Sequence, residues 1–135
     1  MTATLVDSNV LLDVMTEDPR WFSWSAGAIE EAADSARLVI NPIIYAEVSL
    51  RYSRIEELDL ALPQTLLDRE AIPYEAAFLA GKVFLIYRRR GGTKQSTLPD
   101  FFIGAHAAVA GYRLMTRDAA RYRTYFPKLS LIAPD

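Results

Sequence analysis

Thr4-Leu5-Val6-Asp7-Ser8-Asn9 sets a three-residue run, closed by two branched apolar side chains, directly against an acid and two short polar residues. A burst that short reads as a buried strand, and the polar residues behind it read as the start of a helix. The same order returns late in the chain, where Leu114-Met115 runs into Thr116-Arg117-Asp118. Between them lie a third burst, Leu38-Val39-Ile40, and several longer helical stretches. Strands alternating with helices predict a three-layer α/β/α sandwich around a short central parallel sheet. In such folds ligands bind beyond the carboxyl ends of the strands. The chain therefore brings an acid to that edge from each end of its sequence.

Outward from these anchors, Asn9 to Met15 reads as a helical turn or two. Glu17-Asp18-Pro19 opens a second helix, with Pro19 at its first position, running to about Ala36. Pro42 opens the helix that bears Glu47, and residues 54–68 continue helical with a break or new start at Pro63. Ala71-Ile72 is a minimal strand or a connector. Residues 74–90 are apolar nearly all round, which predicts a buried helix ended by Gly91-Gly92. A polar loop follows to Thr97, then a helix from Pro99 through Ala110, a strand over 113–116, a short helix over 118–122 and a last strand over 129–132. No repeat, linker or low-complexity tract interrupts this order, so residues 1–135 are expected to form a single domain, inside the common range of about 100–150 residues.

Half of the residues, 51%, are hydrophobic, enough for a core and too many for a disordered chain. The absence of cysteine excludes disulfides and thiolate zinc sites. The N-terminus meets Asp7 before an apolar signal-peptide core can form, and the stretch from Ala76 to Tyr87 is broken by Lys82 and too short to span a bilayer. A soluble, cytoplasmic protein without membrane contact is expected. The net charge of −2 hides a split: residues 1–70 carry thirteen acids and five bases, residues 71–135 four acids and ten bases. One surface suited to a polyanion and another suited to a basic partner follow from that split.

Asp7, Glu47, Asp100 and Asp118 are the candidate site. Capping explains three of them equally well: Asp7 and Asp118 precede helices, and Asp100 sits in a first turn, where the dipole favours an acid by roughly 0.3–1 kcal/mol. Glu47 resists that explanation. At about 100° per residue it falls inside the apolar arc of Ile43, Ile44, Ala46, Val48 and Leu50. Pairing with Arg51 at i+4 contributes only about 0.2–0.5 kcal/mol, less than burying a carboxylate costs. Two carboxylates about 4 Å apart repel by about 4 kcal/mol at an effective dielectric of 20, so a cluster of four must protonate or recruit cations. Oxygen-only ligands suit Mg²⁺ or Mn²⁺, and with them the hydrolysis of a phosphate ester. Asn9 and Thr116 stand ready to orient carboxylates or waters, or simply to serve as turn and cap residues.

Four segments, Leu5-Val6-Asp7-Ser8-Asn9-Val10-Leu11-Leu12, Tyr45-Ala46-Glu47, Leu98 to Ala107 and Thr116-Arg117-Asp118, resemble the PIN domain in order and spacing. The likeness is strongest to the VapC-type toxins of bacterial toxin–antitoxin pairs and extends to Tyr125-Phe126-Pro127-Lys128-Leu129 near the end. The resemblance implies a metal-dependent endoribonuclease with Asp7, Glu47, Asp100 and Asp118 as ligands. It also implies a homodimer, held in check by a VapB-like antitoxin through which alone it would meet DNA.

Arg88, Arg89, Arg90 and Lys94 are candidates for RNA phosphates, or are solvated cations at the negative end of a helix. His106, six residues beyond Asp100, falls on another face of its helix and reads as packing or surface. Trp21, Phe22 and Trp24 cannot all face one core from a single turn, so at least one is expected on a partner surface. Two other readings stay open. An aspartate-nucleophile phosphatase of haloacid-dehalogenase type wants an acid two residues after Asp7, where Asn9 stands, and a lysine near a strand end. A non-catalytic binding module would carry the acids as helix caps alone.

Overall fold

The computed structural model describes residues 3–135. Five parallel strands lie in the order β3-β2-β1-β4-β5: β1 Thr4–Val6, β2 Leu38–Ile40, β3 Leu67–Arg69, β4 Arg113–Met115 and β5 Leu131–Ile132. Among the described residues seven helices connect them: α1 Ser8–Met15, α2 Phe22–Ser35, α3 Pro42–Ser49, α4 Ile55–Ala61, α5 Tyr74–Arg89, α6 Pro99–Ala110 and α7 Ala120–Tyr125. The chain steps from β1 outward to β3, then returns past β1 to β4 and β5. Right-handed crossovers put the outward and returning connections on opposite faces, which makes the α/β/α sandwich. β1, β2 and most of β4 are buried, and Leu5, Val6, Val39, Leu114 and Met115 form the centre of the core with Ile44, Phe101 and Ile103.

The expected elements are present, with shifted edges. The second helix begins at Phe22 rather than Pro19 because Asp18 Oδ1 accepts the N–H groups of Arg20 and Trp21, each at 2.9 Å, and holds residues 19–21 as a turn. Helix through residue 68 is wrong: α4 stops at Ala61, and Pro63 opens a turn whose carbonyl takes the N–H groups of Leu66 and Leu67. The third strand is Leu67–Arg69, not Ala71-Ile72. It lies at the sheet edge with Asp68 and Arg69 exposed, so it lacks the apolar signature of a central strand. The last helix starts at Ala120, not Asp118, and the last strand is limited to Leu131–Ile132.

α5 departs most from its reading. Ala76, Ala80 and Val83 are buried against the core, but Tyr74, Phe78, Leu85 and Ile86 are exposed. Strands of two or three residues make a small sheet, and its outer helix has more apolar surface than the chain itself covers.

Candidate active site

β1 and β4 are parallel neighbours, with Val6 opposite Met115, so the residues after each strand leave the sheet side by side. The strand order also reverses here, and such a switch point is where open parallel sheets form ligand sites. Asp7 follows β1. It does cap α1, with Oδ1 accepting the Ser8 N–H at 2.8 Å. Its Oδ2 accepts two hydroxyls, Thr116 Oγ1 at 2.9 Å and Tyr122 at 3.0 Å. Asp7 is 3% exposed, and none of the described arginine or lysine side chains pairs with it. Burial pushes its pKa up to about 6, against the Thr116 bond and with the added charge of Asp100.

Asp100 stands in the first turn of α6, where Pro99 opens the helix. Its Oδ1 accepts from the same Tyr122 hydroxyl at 3.3 Å, and Arg121 reaches its Oδ2 at 3.3 Å. That ion pair is long and open to solvent, a kind that contributes at most about 1 kcal/mol. Glu47 arrives from α3, half-buried. Its Oε1 accepts from Ser8 Oγ at 2.9 Å, so Ser8, not Arg51, is its partner. Burial raises its pKa, the Ser8 bond opposes the rise and the charge of Asp100 adds to it. Asp118 lies in the exposed turn after β4, its N–H donating to Thr116 Oγ1 at 3.2 Å. It makes no side-chain cap to α7, and with Asp100 it lines an open cavity of about 450 Å³.

Asn9 and Thr116 clasp the two strand ends together. Asn9 Nδ2 donates to Thr116 Oγ1 at 3.2 Å, and Asn9 Oδ1 accepts the Arg117 N–H at 3.0 Å. Beyond this clasp the Arg117 side chain pairs with Asp13, not with Asp7, Glu47 or Asp100, though it stays close enough to Asp118 to feel its charge. Its Nε and Nη2 donate to Asp13 at 2.8 Å and 2.9 Å, and its plane lies over Trp21. Trp21 is thus in contact with both Arg20 and Arg117, Trp24 packs on the core, and Phe22 is the one aromatic of the three left exposed.

The basic residues divide. Arg90 lies over Tyr125, a lining residue of the cavity that holds Asp100 and Asp118. Arg88 donates to the Lys94 carbonyl at 2.9 Å and folds the loop back on α5, while Arg89 and Lys94 are exposed. His106 is buried elsewhere, its Nδ1 3.0 Å from Asn41 Nδ2, in keeping with a packing role. Sequence reasoning missed Ser8 and Tyr122. Ser8 carried the weak signal of standing next to Asp7; Tyr122 looks like any core aromatic.

Among the described residues, Asp7 and Glu47 each feel the charge of Asp100 and neither is paired with a cation, while Arg121 meets Asp100 from the solvent side. The donor chemistry of these three carboxylates fits a hard divalent ion. Among the described residues no three acids or histidines gather closely enough to cage an ion. The tight cluster of four acids expected from the sequence is therefore not gathered here; Asp118 stands apart in the exposed turn, beside Asp100 alone at the open cavity.

The model of the PIN domain family matches residues 4–127. No curated protein matches the chain in sequence. Among solved structures, VapBC2 from Rickettsia felis, bound to a DNA fragment from its promoter, superposes with a TM-score of 0.76 at 17% identity, covering 99% of this chain and 100% of that one. VapBC-1 from nontypeable Haemophilus influenzae gives 0.73 at 18% identity, covering 98% of each chain. DNA-bound VapBC from Salmonella typhimurium gives 0.72 at 16%, again covering 98% of each. At such identities the likeness is one of fold. The family match spans nearly the whole chain, from the first strand to Pro127, and takes in all four acids: the chain belongs to the PIN domain family.

Proposed function

We propose that this chain is a single-domain, metal-dependent endoribonuclease, the VapC-type toxin of a toxin–antitoxin pair in the cytoplasm. The observation that carries the reading is the buried Asp7 carboxylate, which pairs with none of the described arginines or lysines and shares the Tyr122 hydroxyl with Asp100 at the switch point of the sheet. Asp7, Asp100 and Asp118 would hold Mg²⁺ or Mn²⁺, with Glu47 assisting. The bound ion supplies Lewis acidity and a water acidic enough to attack a phosphodiester. Thr116 and Ser8 fix the carboxylates of Asp7 and Glu47, and the Asn9 clasp holds the turn that carries Asp118. Arg90 above Tyr125 marks the side from which an RNA strand would approach, with Arg88, Arg89 and Lys94 beyond it taking phosphates.

A nuclease of this kind needs restraint, and the solved structures of similar fold are toxin–antitoxin complexes, some bound to DNA. A VapB-like antitoxin is therefore the proposed partner, with DNA reached only through it. Phe22 and the acidic first half of the chain suit an inhibitor that combines an apolar segment with a basic side chain. The exposed face of α5, with Tyr74, Phe78, Leu85 and Ile86, supports a homodimer. The phosphatase reading is disfavoured because Asn9, held by Thr116 and the Arg117 N–H, stands where that mechanism wants a second acid.

The test is Asp100→Asn. It should abolish Mn²⁺-dependent cleavage of RNA and leave melting in chelator unchanged or slightly higher, since one repelling charge is gone. A large loss of stability would make Asp100 structural, and a covalent aspartyl phosphate on the wild type would replace the nuclease reading altogether.

A further inference from the structure

We infer that Tyr122 is a positioning residue of the acidic site, its buried hydroxyl joining Asp7 to Asp100 and setting how tightly the pair takes up a divalent cation. The inference rests on the metal-dependent reading above and deepens it. Tyr122 is 1% exposed, and its hydroxyl lies 3.0 Å from Asp7 Oδ2 and 3.3 Å from Asp100 Oδ1. A phenol carries one proton, so it donates to one of these oxygens at a time and shares the proton between two acceptors.

A phenylalanine would fill the same space in the core between α6 and α7. What the hydroxyl adds is directed at the two carboxylates and at no other group. Thr116 contrasts with it, reaching Asp7 but not Asp100. Tyr122 is thus the one side chain to hydrogen-bond both acids among the described residues. A neutral hydroxyl cannot offset their charge. It can hold the two carboxylates in a fixed relation, leaving the charge for the cation to neutralise. Groups that orient metal-binding carboxylates in this way change metal affinity by about 10–100-fold when removed.

The experiment measures Mn²⁺ binding, from the electron paramagnetic resonance of the free ion, on the wild type, Tyr122→Phe and Asp100→Asn. Tyr122→Phe should bind about tenfold or more weakly, bind RNA as well as wild type in chelator, and recover cleavage at high Mn²⁺. Asp100→Asn should not recover. If Tyr122→Phe binds Mn²⁺ as tightly as wild type while Asp100→Asn does not, Tyr122 is core packing only and the inference is wrong. If wild type and Asp100→Asn bind alike, the metal site itself is wrong and the inference falls with it. A measurement on the wild type guards against a variant that folds poorly. The Tyr122 hydroxyl proton, slow to exchange in its buried position, should shift in the proton NMR spectrum as Mg²⁺ is added. A resonance that ignores the metal overturns the inference.

Discussion

Asp7 caps α1 and Asp13 lies in its last turn; they are 3% and 2% exposed and have opposite surroundings. Asp13 takes the two-pronged Arg117 guanidinium and the Ser25 hydroxyl at 2.8 Å, so its charge is met by an opposite charge. Asp7 takes two hydroxyls and a backbone N–H, all neutral. Neutral hydrogen bonds leave the charge of Asp7 uncompensated and, among the described residues, one of its lone pairs free, and Asp100 and Glu47 face the same region. The lesson lies in the difference. The fold has an arginine within reach of this corner and aims it at Asp13. The charge it leaves at Asp7 is the feature that asks for a cation from outside.

The largest effect should come from opening the closed pair. Arg117→Met leaves Asp13 buried without its cation, a loss that costs about 3–5 kcal/mol for a fully buried pair. Arg117 is itself part-exposed, so urea unfolding in chelator should show the lower end, about 3 kcal/mol. Water can relieve some of the cost from the open side. A change below about 1 kcal/mol would mean the pair is a surface bridge and would remove the contrast with Asp7.

Asp7→Asn should act in the opposite sense. The folded carboxyl titrates at about 6, well above its ordinary range, because it is buried. Between about pH 4 and pH 6 the folded state holds this proton more tightly than the unfolded chain. Wild-type stability therefore falls as pH rises through that window and stays low above it. An amide carries no charge to desolvate, and the Thr116 and Tyr122 hydroxyls can turn to accept from it. In chelator, Asp7→Asn should match wild type near pH 4 and exceed it by about 2 kcal/mol at pH 8. Saturating Mn²⁺ should shrink or reverse that gain. Equal stability at both pH values would show that Asp7 is already compensated.

Only the Asp7 side of this comparison was legible in the sequence, where Asp13 carried no signal, and the limits have physical causes. Asp7 and Asp118 stand out by following apolar strands; the apolar arc that singled out Glu47 is only partly a buried face, since Ile44 and Val48 are buried while Ala46 and Leu50 are exposed. The second partners do not announce themselves. Tyr122 meets Asp7 across 115 positions, Arg117 meets Asp13 across 104, and Ser8 meets Glu47 across 39. No local periodicity marks a contact made by folding distant segments together. β3 was missed because an edge strand of Leu-Asp-Arg needs only one buried residue, and the start of α2 because the Asp18 turn outweighs Pro19 as a helix opener. The apolar face of α5 was read as buried, and this chain alone does not bury it.

The smallest expected effect lies in a third polar cluster, at the β2–β3 side of the sheet, which resembles Asp13 more than Asp7. Glu70 is held by Arg37 at 2.8 Å and by the Tyr112 hydroxyl. Burial works against its charge, yet these partners keep its pKa below the ordinary value. His106 stands behind it, with Nε2 buried and 3.6 Å from Glu70, too far for a hydrogen bond. Burial lowers the His106 pKa, and the nearby Glu70 charge opposes without reversing this. The unfolded chain therefore takes up a proton near pH 6.5 that the folded chain refuses until lower pH. The stability tied to neutral His106 is complete above about pH 6.5 and is lost as pH falls toward the folded value. Asp7 slopes the other way over part of that range, so the contribution is best read in an Asp7→Asn background. There, His106→Gln should flatten the pH dependence of unfolding between pH 7 and pH 5.5 by no more than about 1 kcal/mol. If the slope instead steepened, Glu70 would be holding His106 protonated, and the cluster would be a buried ion pair rather than a neutral histidine beside a compensated acid.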